Sequence, residues 1–161
     1  MGFRRLFLYY KHRVGRIPGT PSYIASGFAT GVAVSFTPFI GFHIASAGLV
    51  TWMLRGSMGA MVLGSVLAGN PWTFPFIWVT TYQLGEWMLG AHVSKAAAST
   101  LSHSPTFAEL MAKPWELLLP MTLGSLPLVI VSWGISFAIV RRIVRRYKEA
   151  RLARIYKETK L

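Results

Sequence analysis

Threonine and asparagine side chains beside prolines are the polar groups best placed for chemistry in an otherwise apolar stretch. Thr37 precedes Pro38, Asn70 precedes Pro71, and Thr73 follows soon after. Asn and Thr are favoured N-cap residues and proline is favoured at the first helical position, so each pair is typical of a helix start. Helix N-termini carry partial positive charge and bind anions. The pattern predicts that two helix starts meet and form an anion site.

A purely structural role for the same residues remains an alternative. Proline inside a helix removes one backbone donor and leaves an earlier carbonyl without its partner. In this interpretation the prolines kink two helices, and the side chains of Thr37, Asn70 and Thr73 satisfy the freed carbonyls. No ligand is then involved.

Three ionisable residues in apolar surroundings are further candidates. Glu86 follows Tyr82 by four residues, and an acid inside a membrane segment is a functional candidate by default. We expect Glu86 or His43 to supply proton coupling. The alternatives are that Glu86 reaches the membrane interface and that His43 is a hydrogen-bonded packing residue. Arg55 closes an apolar tract, where we expect it to contact a headgroup phosphate or to fix orientation.

No catalytic residue, metal site or cofactor is predicted. The sequence has no H-E-x-x-H, G-x-S-x-G or P-loop pattern and no carboxylate pair, and it contains no cysteine. We therefore do not expect an enzyme. Nor do we expect nucleic-acid binding, because the basic ends flank apolar segments.

The distribution of charge predicts an integral membrane protein. The chain has 17 basic and five acidic residues. Only six of these charges lie between residues 17 and 140, whereas a soluble domain spreads charge over its surface. We divide the chain into a basic amphipathic interfacial segment (residues 1–20), a helical membrane domain (21–140) and a basic cytoplasmic helical tail (141–161).

The elements that must position the candidate residues are broken apolar tracts. Residues 22–54 and 57–91 would each form a helix about 50 Å long, whereas the hydrocarbon core of a bilayer is about 30 Å thick. Each tract carries its own prolines, so each is predicted to break there. The predicted fold is all-α, with two proline-broken helical hairpins, re-entrant or kinked, and a C-terminal transmembrane helix with a basic helical extension.

Two topologies are compatible with basic, cytoplasmic ends, which require an even number of crossings. In the first, residues 22–54 and 57–69 are re-entrant, and residues 74–91 and 118–140 cross the membrane. In the second, kinked helices make four crossings. We favour the re-entrant version, because paired broken segments mark midplane sites in many transporters.

Residues 21–90 resemble a bacterial family described as domain of unknown function 2062. The matching motifs are "P-x-x-I-A-x-G-F-A-x-G", the "P-F-I-G-F" turn, "L-R-G" and "N-P-W-T-F-P". The residue after the arginine is typically Asn in that family and is Gly56 here. The resemblance implies a small inner-membrane protein without assigning an activity. Some relatives look fused to glycosyltransferases that act on lipid carriers, which favours polyprenyl-phosphate or phospholipid handling.

We therefore predict a multi-pass protein of the bacterial inner membrane with both termini in the cytoplasm. It is expected to bind or translocate an anionic lipid or a small anion. The alternative is a non-transporting scaffold that recruits a partner through its basic C-terminal helix. The expected partners are membrane lipids with anionic headgroups, and a homo-oligomer or larger membrane complex stays open.

Overall fold

The computed structural model describes residues 17–38, 42–70, 72–89 and 114–158, and all regular structure in these ranges is helical. The predicted interfacial segment, apart from residues 17–20, lies outside them, as does Pro71. The helices are α1 (Pro21–Val34), α2 (His43–Met53), α3 (Met58–Ala68), α4 (Phe74–Met88) and α5 (Pro114–Glu158). The all-α prediction is confirmed, and both long tracts break close to their prolines as predicted.

Two of the shorter helices start at side-chain caps. The Thr20 hydroxyl accepts a hydrogen bond from the Tyr23 backbone N–H at 3.2 Å, and Pro21 follows it at the first helical position. The Ser57 hydroxyl accepts from the Ala60 N–H at 3.3 Å at the start of α3. Such caps satisfy N–H groups that have no partner within the helix.

Helices α1 and α3 run in the same direction in close backbone contact. The Ser57 N–H donates to the Tyr23 carbonyl at 3.0 Å at one end. Further along, a Cβ on Gly31 would collide with the carbonyl oxygen of Met61. Only glycine permits this approach, which is the usual role of small residues between helices in lipid. Helix α2 runs in the opposite direction, because it joins the end of α1 to the start of α3.

The long helix α5 packs antiparallel to α1 along its basic half. Lys148 Nζ donates to the carbonyl of Gly19, and Trp133 Nε1 donates to Thr30 Oγ1 at 3.2 Å. Between these contacts lies the apolar core cluster, formed by Ile24, Ala25, Phe28, Ala60, Val140 and Val144.

Helix α4 packs on the other half of α5. A Cβ on Gly85 would collide with the carbonyl of Pro120, and one on Gly124 would collide with the carbonyl of Thr81. Along this contact, higher residue numbers in α4 pair with lower residue numbers in α5. The two helices are therefore antiparallel. Helix α5 is therefore a spine, with α1 packed on its basic half and α4 on its N-terminal half, while α2 and α3 pack against α1.

One helix in the described part of the chain is long and apolar enough to cross a membrane, namely Leu118–Ala153. Only 17% of its most apolar stretch is buried. Large apolar side chains are also exposed elsewhere: Trp72 is 89% exposed and Trp87 is 78% exposed. These surfaces need an apolar environment or a partner to cover them.

Candidate functional site

The first break does not start a helix at Thr37. The Thr37 hydroxyl donates to the Val34 carbonyl at 2.6 Å, and the Thr37 N–H donates to the same oxygen at 3.0 Å. Pro38 is buried, and the next helix begins only at His43, with no side-chain cap. The N-cap interpretation of Thr37 is wrong, because its hydroxyl closes the C-terminal end of α1.

The second break is a turn whose polar groups bond to one another. Thr73 Oγ1 lies 2.5 Å from the Ala68 carbonyl, to which it donates, and it accepts from the Asn70 N–H at 3.2 Å. Helix α4 begins at Phe74 with Thr73 at the N-cap position, and it is Pro75 that occupies its first turn. The N-cap interpretation of Asn70 is therefore also wrong.

The two breaks are nevertheless neighbours. A Cβ on Gly69, at the end of α3, would lie 3.3 Å from Ser35 Oγ, at the end of α1. The rings of His43 and Phe74, the first residues of α2 and α4, meet edge to face with centroids 6.5 Å apart. The C-terminal ends of α1 and α3 and the N-terminal ends of α2 and α4 thus lie close together. Thr37 and Asn70 follow the two C-terminal ends, toward which the backbone carbonyls of a helix point. Carbonyl ends carry partial negative charge, so this placement adds no support to an anion site at Thr37 and Asn70, which stays a prediction.

Arg55 lies at the opposite end of α2 and α3, away from both breaks. Its side chain is exposed on an open groove of about 570 Å³, lined by Tyr23, Trp52, Met53, Arg55, Gly56 and Met58. Its φ of 49° is in the left-handed region, which non-glycine residues adopt only at an energetic cost. Aromatic and aliphatic walls beside one guanidinium suit an amphiphile that has an anionic head.

The conformation of Arg55 is imposed by tertiary packing. Gly56 is buried, and a Cβ there would lie 2.8 Å from the Gly27 nitrogen. The Gly56 N–H donates to the Thr51 carbonyl at 2.8 Å, which ends α2 in a tight turn. The loop is therefore pressed onto α1 at Gly56, while the Arg55 side chain is exposed. Sequence reasoning missed Tyr23 and Trp52 as lining residues, since only the fold brings them together.

The residues predicted for proton coupling are not brought together. Tyr82 is 1% exposed, and its hydroxyl donates to Glu86 Oε1 at 2.8 Å. This pair lies at the end of α4 that packs on Pro120, whereas His43 contacts the start of α4. Twelve residues of helix separate Phe74 from Glu86, or about 18 Å. The roles of Glu86 and His43 stay predictions.

The comparisons with known proteins identify a family without an assigned activity. No curated protein and no solved structure matches the chain. A profile of one bacterial family matches residues 4–153, well over half of the sequence. The chain belongs to that family, described as "uncharacterized protein conserved in bacteria" (DUF2062).

Proposed function

We propose that the protein is an integral protein of the bacterial inner membrane that binds an anionic lipid from the cytoplasmic side. The membrane assignment is supported by the exposed, apolar helix Leu118–Ala153 and by the exposed tryptophans. The orientation is supported by the basic residues of α5, which start at Arg141 beside the start of α1. Cytoplasmic flanks of membrane helices carry such an excess of Lys and Arg.

The proposed topology has two crossings. Helices α1, α2 and α3 have 14, 11 and 11 residues, or about 16–21 Å, which is too short for a core of about 30 Å. They would enter from the basic side and stop at mid-depth. Helix α3 and helix α4 together would complete one crossing, and α5 would return. This arrangement places both ends of the described chain on the cytoplasmic side.

The observation that carries the lipid proposal is the groove at Arg55. It combines one exposed cation in a strained backbone conformation with apolar walls from Tyr23, Trp52 and Met58. Strained residues of this kind cluster at binding sites, where the surrounding fold maintains them. The guanidinium offers up to five donors that match a phosphate, and the walls would cover the first carbons of an acyl or prenyl chain.

Native mass spectrometry with defined lipids tests this proposal. The purified protein would be mixed with phosphatidylglycerol, with a polyprenyl phosphate or with zwitterionic phosphatidylethanolamine. We expect an anionic lipid to be retained by the wild type and by Arg151→Gln, which removes an exposed charge near the end of α5. Arg55→Gln should lose that lipid. Equal retention by Arg55→Gln and Arg151→Gln would exclude the groove as the site.

A scaffold role has one specific observation in its favour. Lys148 contacts Gly19 at the start of α1, and α5 continues from there to Glu158. Leu152 on this extension is 67% exposed among basic residues. If the protein acts as a scaffold, deletion of residues 149–161 should abolish partner recruitment. If it acts by binding lipid in the groove at Arg55, the same deletion should leave lipid retention intact.

A further inference from the structure

We infer that Lys148 of α5 is a positioning residue of the groove at Arg55, and that it acts by holding the wall residue Tyr23 in place through Gly19. The lining residues of the groove belong to α1, α2, α3 and the loop before α3. Helix α5 would therefore contribute to lipid affinity from outside the groove. The inference rests on the proposed lipid binding and names a residue on which its strength depends.

The backbone of Tyr23 is fixed without the help of Lys148. The Tyr23 N–H donates to Thr20 Oγ1 at 3.2 Å, and the Tyr23 carbonyl accepts from the Ser57 N–H at 3.0 Å. Ser57 comes two residues after Arg55, so the second bond holds α1 against the loop that carries the guanidinium. Neither bond restrains the aromatic ring, whose direction depends on the side-chain torsions. The ring therefore needs a support of its own.

Gly19 supplies that support. A Cβ on Gly19 would lie 2.6 Å from Tyr23 Cδ1 and 3.2 Å from Cε1, so one edge of the ring rests on the glycine backbone. Gly19 has a φ of 122°, a conformation that residues with a side chain rarely adopt. Because glycine has access to many backbone conformations, it supports the ring only if its own peptide group is held.

Lys148 holds this peptide group. Its Nζ donates to the Gly19 carbonyl, and its side chain is partly buried where α5 packs on α1. Hydrogen bonds from an ammonium group are roughly twice as strong as bonds between neutral groups. Loss of the bond would release the Gly19 peptide, and the Tyr23 ring would lose its support. The groove would then hold the lipid less tightly, although the charge of Arg55 is unchanged.

Native mass spectrometry with phosphatidylglycerol compares Lys148→Met with matched variants. Trp133→Phe also removes one hydrogen bond between α5 and α1, but its partner Thr30 lies about two helical turns from the groove. Arg151→Gln also removes one positive charge from α5. Lys148→Arg keeps a charged donor. Gly19→Ala keeps every charge and places a methyl group against the ring.

We expect Lys148→Met and Gly19→Ala to retain about two- to tenfold less lipid than the wild type, the range that corresponds to one hydrogen bond. Lys148→Arg, Trp133→Phe and Arg151→Gln should retain it as the wild type does. Full retention by Lys148→Met or by Gly19→Ala would refute the inference. An equal loss in Trp133→Phe would mean that any loosening of α1 from α5 weakens binding, which would also refute positioning through Tyr23.

Arg55→Gln, measured alongside, separates this inference from the proposed function. If Arg55→Gln retains the lipid as the wild type does, the groove is not the site and the proposed function fails. If Arg55→Gln loses the lipid while Lys148→Met retains it, the groove stands and the role of Lys148 is refuted. Lys148→Gln, whose side chain is shorter but still polar, replaces Lys148→Met if the latter gives no monodisperse protein.

Discussion

Replacing Gly124 by alanine tests the contact that holds α4 on the spine. The added Cβ would lie 2.6 Å from the Gly85 nitrogen and even closer to the Thr81 carbonyl oxygen. Gly134 lies on the same helix with no atom within 4 Å of the corresponding Cβ. Both substitutions add one methyl group to the same helix. They differ only in the atoms that this methyl group would contact.

The two variants are expected to change the free energy of unfolding differently. Favourable contacts between nonbonded heavy atoms lie near 3.5–4.0 Å, so Gly124→Ala must push the helices apart by about 1.5 Å. Overpacking of this kind costs about 1–3 kcal/mol. Gly134→Ala should be neutral or stabilising by up to about 1 kcal/mol, because alanine has the higher helix propensity. The two variants should thus differ by about 1–4 kcal/mol.

Thermal unfolding in one detergent, followed by loss of the monodisperse elution peak, measures this difference. About 1 kcal/mol shifts the midpoint by about 2–4 °C in a protein of this size. Gly124→Ala should therefore unfold several degrees below Gly134→Ala. If Gly124→Ala is as stable as Gly134→Ala, then α4 does not contact α5 at Gly124.

Three further substitutions are read in the same unfolding assay. Arg55→Asn should leave stability unchanged or raise it by up to about 1 kcal/mol, because asparagine tolerates the left-handed conformation; a clear loss would reveal a structural contact of the guanidinium. Thr51→Val should stabilise by about 1 kcal/mol, because the buried Thr51 hydroxyl has no hydrogen-bond partner in the part of the chain that the structure describes; destabilisation would contradict this. Trp133→Phe should cost about 1 kcal/mol through loss of the bond to Thr30, and an unchanged midpoint would show that the bond is dispensable.

The sequence predicts the helix breaks well because proline acts locally. The interruption between α3 and α4 falls within a few residues of Pro71 and Pro75, and its effect needs no tertiary information. The residues at which the helices begin are harder to predict from the sequence. The Thr73 hydroxyl donates to the Ala68 carbonyl, five residues earlier, and does not cap α4. Which of these two bonds forms depends on the conformation of the turn.

The groove at Arg55 lies beyond what a sequence pattern can indicate. Arginine has no preference for positive φ, and Gly56 is confined by Gly27, which is far away along the chain. The cause is the close approach of α1 to the loop before α3. The small residues that allow such an approach are visible in the sequence, but their partners are not.

The contact between Lys148 and Gly19 joins residues 129 positions apart. During synthesis α1 leaves the ribosome before α5, so α1 cannot complete this packing until Lys148 has emerged. Helices α1, α2 and α3 are each shorter than the thickness of a hydrocarbon core, so in the proposed topology none of them would be held in the membrane before α5 is present. Assembly that depends on such distant contacts is slow and exposes apolar intermediates. Premature termination before α5 would therefore leave a polypeptide for quality-control proteases to remove.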